Sequence, residues 1–95
     1  MHTTLRFHAY RSVAWDPPRL APGGIASIEV TLIGTGVQAG EVCSAGLSSL
    51  GPLPMMLSGH VSAADRVLVT LFNPTLSEQN VANGTLRVAV ASFAW

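Results

Sequence analysis

Along most of the chain, apolar and polar residues alternate with a period of two, the spacing of a strand with one buried side. In TTLRFHAYRSVA (3–14), Leu5, Phe7, Ala9 and Val13 fall on one side, with Thr4, Arg6, His8 and Ser12 on the other. IASIEVTLIG (25–34) sets Ala26, Ile28, Val30 and Leu32 against Ser27, Glu29 and Thr31. VSAADRVLVTLFNPT (61–75) turns Val67, Val69 and Leu71 one way, and GTLRVAVASFAW (84–95) does the same with Leu86, Val88 and Val90. EVCSAGLSSL (41–50) carries a weaker form of the pattern. GPLPMML (51–57) interrupts it, and SGHVS (58–62) resumes it.

The intervening segments have the chemistry of turns. WDPPRLAPGG (15–24) is rich in proline and glycine, and GTGVQAGEV (34–42) is punctuated by glycine. NPTLSEQNVANG (73–84) combines Asn-Pro, where proline fixes φ, with Asn83-Gly84, a pair that tolerates positive φ. Asp65 stands just before a strand, where its short carboxylate can bond local backbone amides. No stretch has an apolar helical face capped at both ends. Six or seven short strands separated by turns predict a small all-β protein, an antiparallel β-sandwich of jelly-roll-like type. Residues 1–14 are expected as an N-terminal strand, completing its own sheet or reaching a neighbour as an arm. Residues 15–95 are expected to form the single sandwich domain.

The second faces of these strands raise the functional question. Opposite Val67, Val69 and Leu71 stand Arg66, Leu68, Thr70 and Phe72. Opposite Leu86, Val88 and Val90 stand Thr85, Arg87, Ala89, Ala91 and Phe93. This mixture of aromatic, small and arginine side chains is that of a protein interface. Composition agrees: 48% of residues are hydrophobic and only 11% charged, against about 25% charged in ordinary domains. All five basic residues are arginine, which interfaces tolerate better than lysine. With these two strands side by side, Leu68, Phe72, Arg87 and Phe93 form one expected contact patch. Leu53, Met55, Met56 and Leu57 of the 51–57 loop form another, since methionine adapts to irregular partner surfaces.

Catalysis and metal binding find little footing. The net charge is zero and the arginines are scattered, which argues against nucleic acid as a partner. No run approaches the roughly 18 apolar residues of a membrane span. The N-terminus lacks the basic-then-apolar pattern of a secretory signal, and the single Cys43 cannot form an internal disulfide, so synthesis in a reducing cytoplasm is expected. His2, His8 and His60 lack metal-ligand spacing. Cys43 with His60 would make a nucleophile and base without an orienting third group. The carboxylates Asp16, Glu29, Glu41, Asp65 and Glu78 show no pairing that spacing would force. The expectation is no catalytic residue, no metal and no cofactor. A sugar-binding role would need exposed aromatics, for which Tyr10, Trp15 and Trp95 are the candidates.

WDP…LAPGG (15–24), EVTLIGTG (29–36), VSAADRVLVTLFNPT (61–75) and NGTLRVAVASF (83–93) together resemble small β-rich virion proteins of tailed bacteriophages and prophages. That pattern runs Trp-Asp/Asn-Pro, Ala-x-Gly, a Val-Thr-Val strand, Val-Ser-Ala-Ala-Asp-Thr-Val, Asn-x-Thr-Gly and Ser-Gly-Thr-Leu-Arg-Val. The chain departs from it at Arg66, Leu76, Asn80 and Asn83. The resemblance implies a structural role in the virion, most simply a capsid decoration (cement) protein. Such a protein would act as a homo-oligomer, with a trimer favoured, against the major capsid protein. A tail-fibre or baseplate-associated component is the alternative, and a small carbohydrate-binding sandwich the second.

Overall fold

The computed structural model describes the backbone of residues 4–94 and the side chains from Arg6 to Ser92. Its strands are β1 (Thr4–Trp15), β2 (Ile25–Thr31), β3 (Val42–Leu47), β4 (Met56–Ala63), β5 (Arg66–Phe72) and β6 (Gly84–Ala94). The described residues contain no helix. Two three-stranded antiparallel sheets result, in the orders β1-β6-β3 and β2-β5-β4. Only β4 and β5 are neighbours both in sequence and in a sheet. Every other connection carries the chain from one sheet to the other.

One core serves both sheets. Ala9, Leu47, Leu86, Val88 and Val90 line the β1-β6-β3 side, and Ala26, Val30, Val61, Val67, Val69 and Leu71 line the other. The alternation thus selects the inner faces of β2, β5 and β6 correctly. Where β3 meets β4, the sheets approach closely through small residues. A Cβ on Gly59 would lie 3.2 Å from the Cys43 sulfur and 3.5 Å from Ala45 Cβ, so glycine sets that spacing. Loop residues complete the core: Leu20, Leu32, Val37 and Val81 are buried.

Two polar devices fasten the loops. Asn73 is fully buried on leaving β5. Its Nδ2 donates to the carbonyls of Leu20 (3.0 Å), Ala21 (3.2 Å) and Ser77 (2.9 Å). Its Oδ1 accepts from Thr75 N (2.9 Å) and Thr75 Oγ1 (2.7 Å). Backbone bonds from Gly23 N to Asn73 O and from Asn73 N to Gly24 O, with the Leu20–Gln79 bridge, lock the 20–24 and 73–79 segments together. The second device is Asp65, in the tight β4–β5 turn at φ 60°, a conformation aspartate tolerates better than most residues. Its backbone N–H donates to Val37 O (3.0 Å) and its carbonyl accepts from Leu32 N (2.7 Å), which docks the β2–β3 loop.

A bulge between Phe7 and Ala9 reverses the N-terminal part of β1, so Phe7 pairs with Ala91 on the outer face and does not join Ala9 inside. An extra residue in one strand shifts every side chain before it to the opposite face. β5 and β6 are in different sheets, so their outer faces point away from each other and cannot form one patch. Asn83-Gly84 does not adopt positive φ. Gly84 instead opens β6 where a Cβ would fall 2.5 Å from Ser49 Oγ and 2.8 Å from Ser48 Oγ. The Asp65 carboxylate reaches the Gly34 N–H (3.4 Å), across the docked loop and not locally. Residues 4–15 pair along β6 of their own chain.

Candidate interaction surfaces

The outer face of β2-β5-β4 follows from the strand register. Ile25, Phe72 and Met56 are cross-strand partners and make one apolar row across all three strands. Ser27, Thr70 and Ser58 form a polar row beside it, and Glu29, Leu68 and His60 the next. Ile25 is 63% exposed and Met56 59% exposed, with Phe72 and Leu68 half-buried between their neighbours. At the far end, Arg66 pairs with Glu29 at 3.3 Å, an exposed contact of little energetic weight. This face offers a continuous apolar bar flanked on one side by a row of hydroxyls.

The outer face of β1-β6-β3 has a different character. Phe7, Ala91 and Val42 share one row, Tyr10, Ala89 and Ser44 the next, and Ser12, Arg87 and Gly46 the third. The last two rows floor an open groove of about 570 Å³. Tyr10 stands 69% exposed at its rim, with its ring centroid 6.3 Å from that of Phe7. Arg87 is exposed on the central strand and makes no ion pair among the described residues.

These placements divide the expected contact residues. Leu68, Phe72 and Met56 share the β2-β5-β4 face, while Arg87 lies on the opposite side of the molecule. The Phe93 side chain is outside the described residues. Of the 51–57 loop, Met55 is buried, and Leu53 and Leu57 pack against the core. Three of the four large side chains are therefore turned inward, and Met56 alone faces out. The aromatic candidates separate similarly: Tyr10 is exposed, Trp15 packs against the core, and Trp95 lies outside the described residues.

The reactive side chains do not converge. Cys43 faces inward against Gly59, and burial pushes its thiol pKa up. His60 points outward from β4, opposite Leu68, so it is not a base for that thiol. Among the described residues, no group of three or more His, Cys, Asp or Glu could hold a metal. One pair escaped the sequence reading: His8 Nε2 lies 2.9 Å from Glu41 Oε2. Burial alone would raise the Glu41 pKa, but the Gln38 N–H (2.7 Å) and His8 outweigh it and hold the carboxyl below its ordinary value. The bulge at residues 7–9, invisible to a period of two, is the irregularity next to His8.

Comparison with known proteins gave no match: no family model, no curated protein and no solved structure. No helix of the described residues is long and apolar enough to cross a membrane.

Proposed function

We propose that this chain is a virion structural protein of a tailed bacteriophage, a capsid decoration protein that clamps neighbouring shell subunits as a homo-oligomer. The observation that carries the reading is the Ile25–Phe72–Met56 row, with Leu68 on the same face beyond the Ser27–Thr70–Ser58 row, an apolar bar on a face whose described residues make a single ion pair, between Arg66 and Glu29. An exposed apolar strip in a low-charge chain is an energetic liability until another protein covers it. Covering it gains roughly 1.5–3 kcal/mol for each side chain fully buried, less for the two already half-covered. Single contacts of that size are modest once association costs are subtracted. Repeated over a shell of linked subunits, they multiply in effect.

The jelly-roll-like elaboration of the two sheets comes from the strand-and-turn pattern of the sequence, and the threefold assembly from the resemblance of residues 15–93 to phage virion proteins. The partners under this reading are further copies of the chain and the major capsid protein, with the capsid surface as the location. The test is mass spectrometry of purified particles, with copy number measured against the major capsid protein. A ratio approaching that of the shell subunits supports decoration. A handful of copies per particle overturns it in favour of a tail-fibre or baseplate component, and absence from particles overturns both.

A further inference from the structure

The face opposite the apolar bar carries a second, independent binding site: we infer that the groove on β1-β6-β3 binds a carboxylate-bearing saccharide. Its floor is two rungs of the sheet, Tyr10–Ala89–Ser44 and Ser12–Arg87–Gly46. The groove is open and shallow, with a volume of about 570 Å³, so its side chains and not enclosure would have to hold a ligand.

Three features fix the ligand chemistry. The first is charge. Arg87 rises from the centre of the face between Ser12 and Gly46, and no described strand residue on this face is acidic. A guanidinium so placed presents a planar fork of donors that matches a carboxylate bidentately. The second is the aromatic rim. Tyr10 offers an exposed ring whose face suits the apolar side of a pyranose, and Phe7 lies beside it at an interplanar angle of 31°. Its hydroxyl, with those of Ser12 and Ser44, supplies partners of the kind sugar hydroxyls need.

The third feature is Gly46. Its φ is not positive, and a Cβ built on it would meet nothing within 4 Å. Neither backbone conformation nor packing therefore requires glycine there, although glycine weakens a strand. A side chain at this position would stand in the groove beside Arg87. Bare floor next to an exposed ring and a cation with no ion pair among the described residues is what close approach of a ring-shaped anion requires.

The inference is independent of the assembly reading, because it is tested on the purified chain without particles. An array of uronate- and sialate-containing oligosaccharides is compared with their methyl esters, which keep the stereochemistry and remove the charge. The expected result is binding of at least one acid form, weakened by roughly tenfold or more on esterification and again in Arg87→Gln. Tyr10→Ala abolishes binding, Gly46→Val blocks it, and amide NMR shifts on titration map to residues 10–12, 44–46 and 87–89. Circular dichroism confirms that each variant is folded. Absence of binding by every acid, equal affinity for acid and ester, or shifts centred elsewhere would overturn the inference. So would tighter binding of an acidic peptide at the groove, which would make it a protein-docking surface.

Discussion

Replacing Asn73 by alanine removes the most heavily bonded side chain among the described residues. Its amide has two hydrogens shared among the carbonyls of Leu20, Ala21 and Ser77, and its oxygen accepts twice from Thr75. That is equivalent to four bonds. At a net 0.5–1.5 kcal/mol each, the gross loss is about 2–6 kcal/mol. Some is recovered, because Thr75 Oγ1 already has a second acceptor at Ser77 O (2.9 Å) and water can reach loop carbonyls once the amide is gone. The expected destabilisation is about 3 kcal/mol, against total stabilities of roughly 5–15 kcal/mol for domains in general. Urea unfolding followed by far-UV circular dichroism reads it as a midpoint lowered by about 2–3 M, for an m-value of about 1–1.5 kcal/mol/M. Asn73→Asp is the sharper variant. It conserves shape and the acceptor for Thr75, but turns a donor into a third-party acceptor facing three carbonyls, and should cost at least as much at neutral pH. An aspartate variant as stable as the parent, or an alanine variant within about 0.7 kcal/mol of it, would refute the account of Asn73 as the pin between the two loops.

Three further outcomes are expected. Phe72→Asp places a charge in the middle of the apolar bar, and should weaken particle binding roughly a hundredfold while the isolated chain keeps its circular dichroism spectrum; normal coating by this variant would exclude that face. Gly59→Ala forces a Cβ to within 3.2 Å of the Cys43 sulfur and should destabilise by about 1–2 kcal/mol. Adding Cys43→Ala should restore most of that loss, and additive effects would show that the two sheets are not in contact there. Glu41 has a folded pKa below its ordinary value, so the unfolded chain takes up the proton more readily. Its contribution is present at neutral pH and is lost as pH falls below about 4. Carbon-detected NMR titration should show the Glu41 pKa rising toward normal in His8→Ala, and an unchanged titration would remove His8 as a cause.

The sequence was informative where a period of two meets one buried side. Val67, Val69 and Leu71, and likewise Leu86, Val88 and Val90, turn inward as the alternation requires. Alternation does not say which strand lies next to which, because the same pattern suits either sheet. The placement of β5 and β6 on opposite sides of the core therefore needed the structure, and with it the division of the contact residues between two faces. The bulge at residues 7–9 was illegible for a related reason: one inserted residue leaves the composition of β1 strand-like while reversing Phe7. In the 51–57 loop, Pro52 and Pro54 advertise irregular backbone but not its direction, and Met55 and Leu57 use it to turn inward. Asn73 was visible as turn chemistry. Its role as a buried hub depends on carbonyls some fifty residues earlier, which no local pattern encodes.

The pairing of β1 with β6 has a consequence for synthesis. Residues 4–15 are made before the other five strands, yet the strand that sits between β1 and β3 is the last of the six to be made. At elongation rates of roughly 5–20 residues per second, β1 waits several seconds for its neighbour. Throughout that interval the nascent polypeptide displays a strand-forming segment whose sheet neighbour is still missing, while β2, β4 and β5 can already pair with one another. Productive maturation is thus expected to be slow, dominated by distant pairings. Yield in a recombinant host should depend more on chaperone supply and growth temperature than on the final stability of the product.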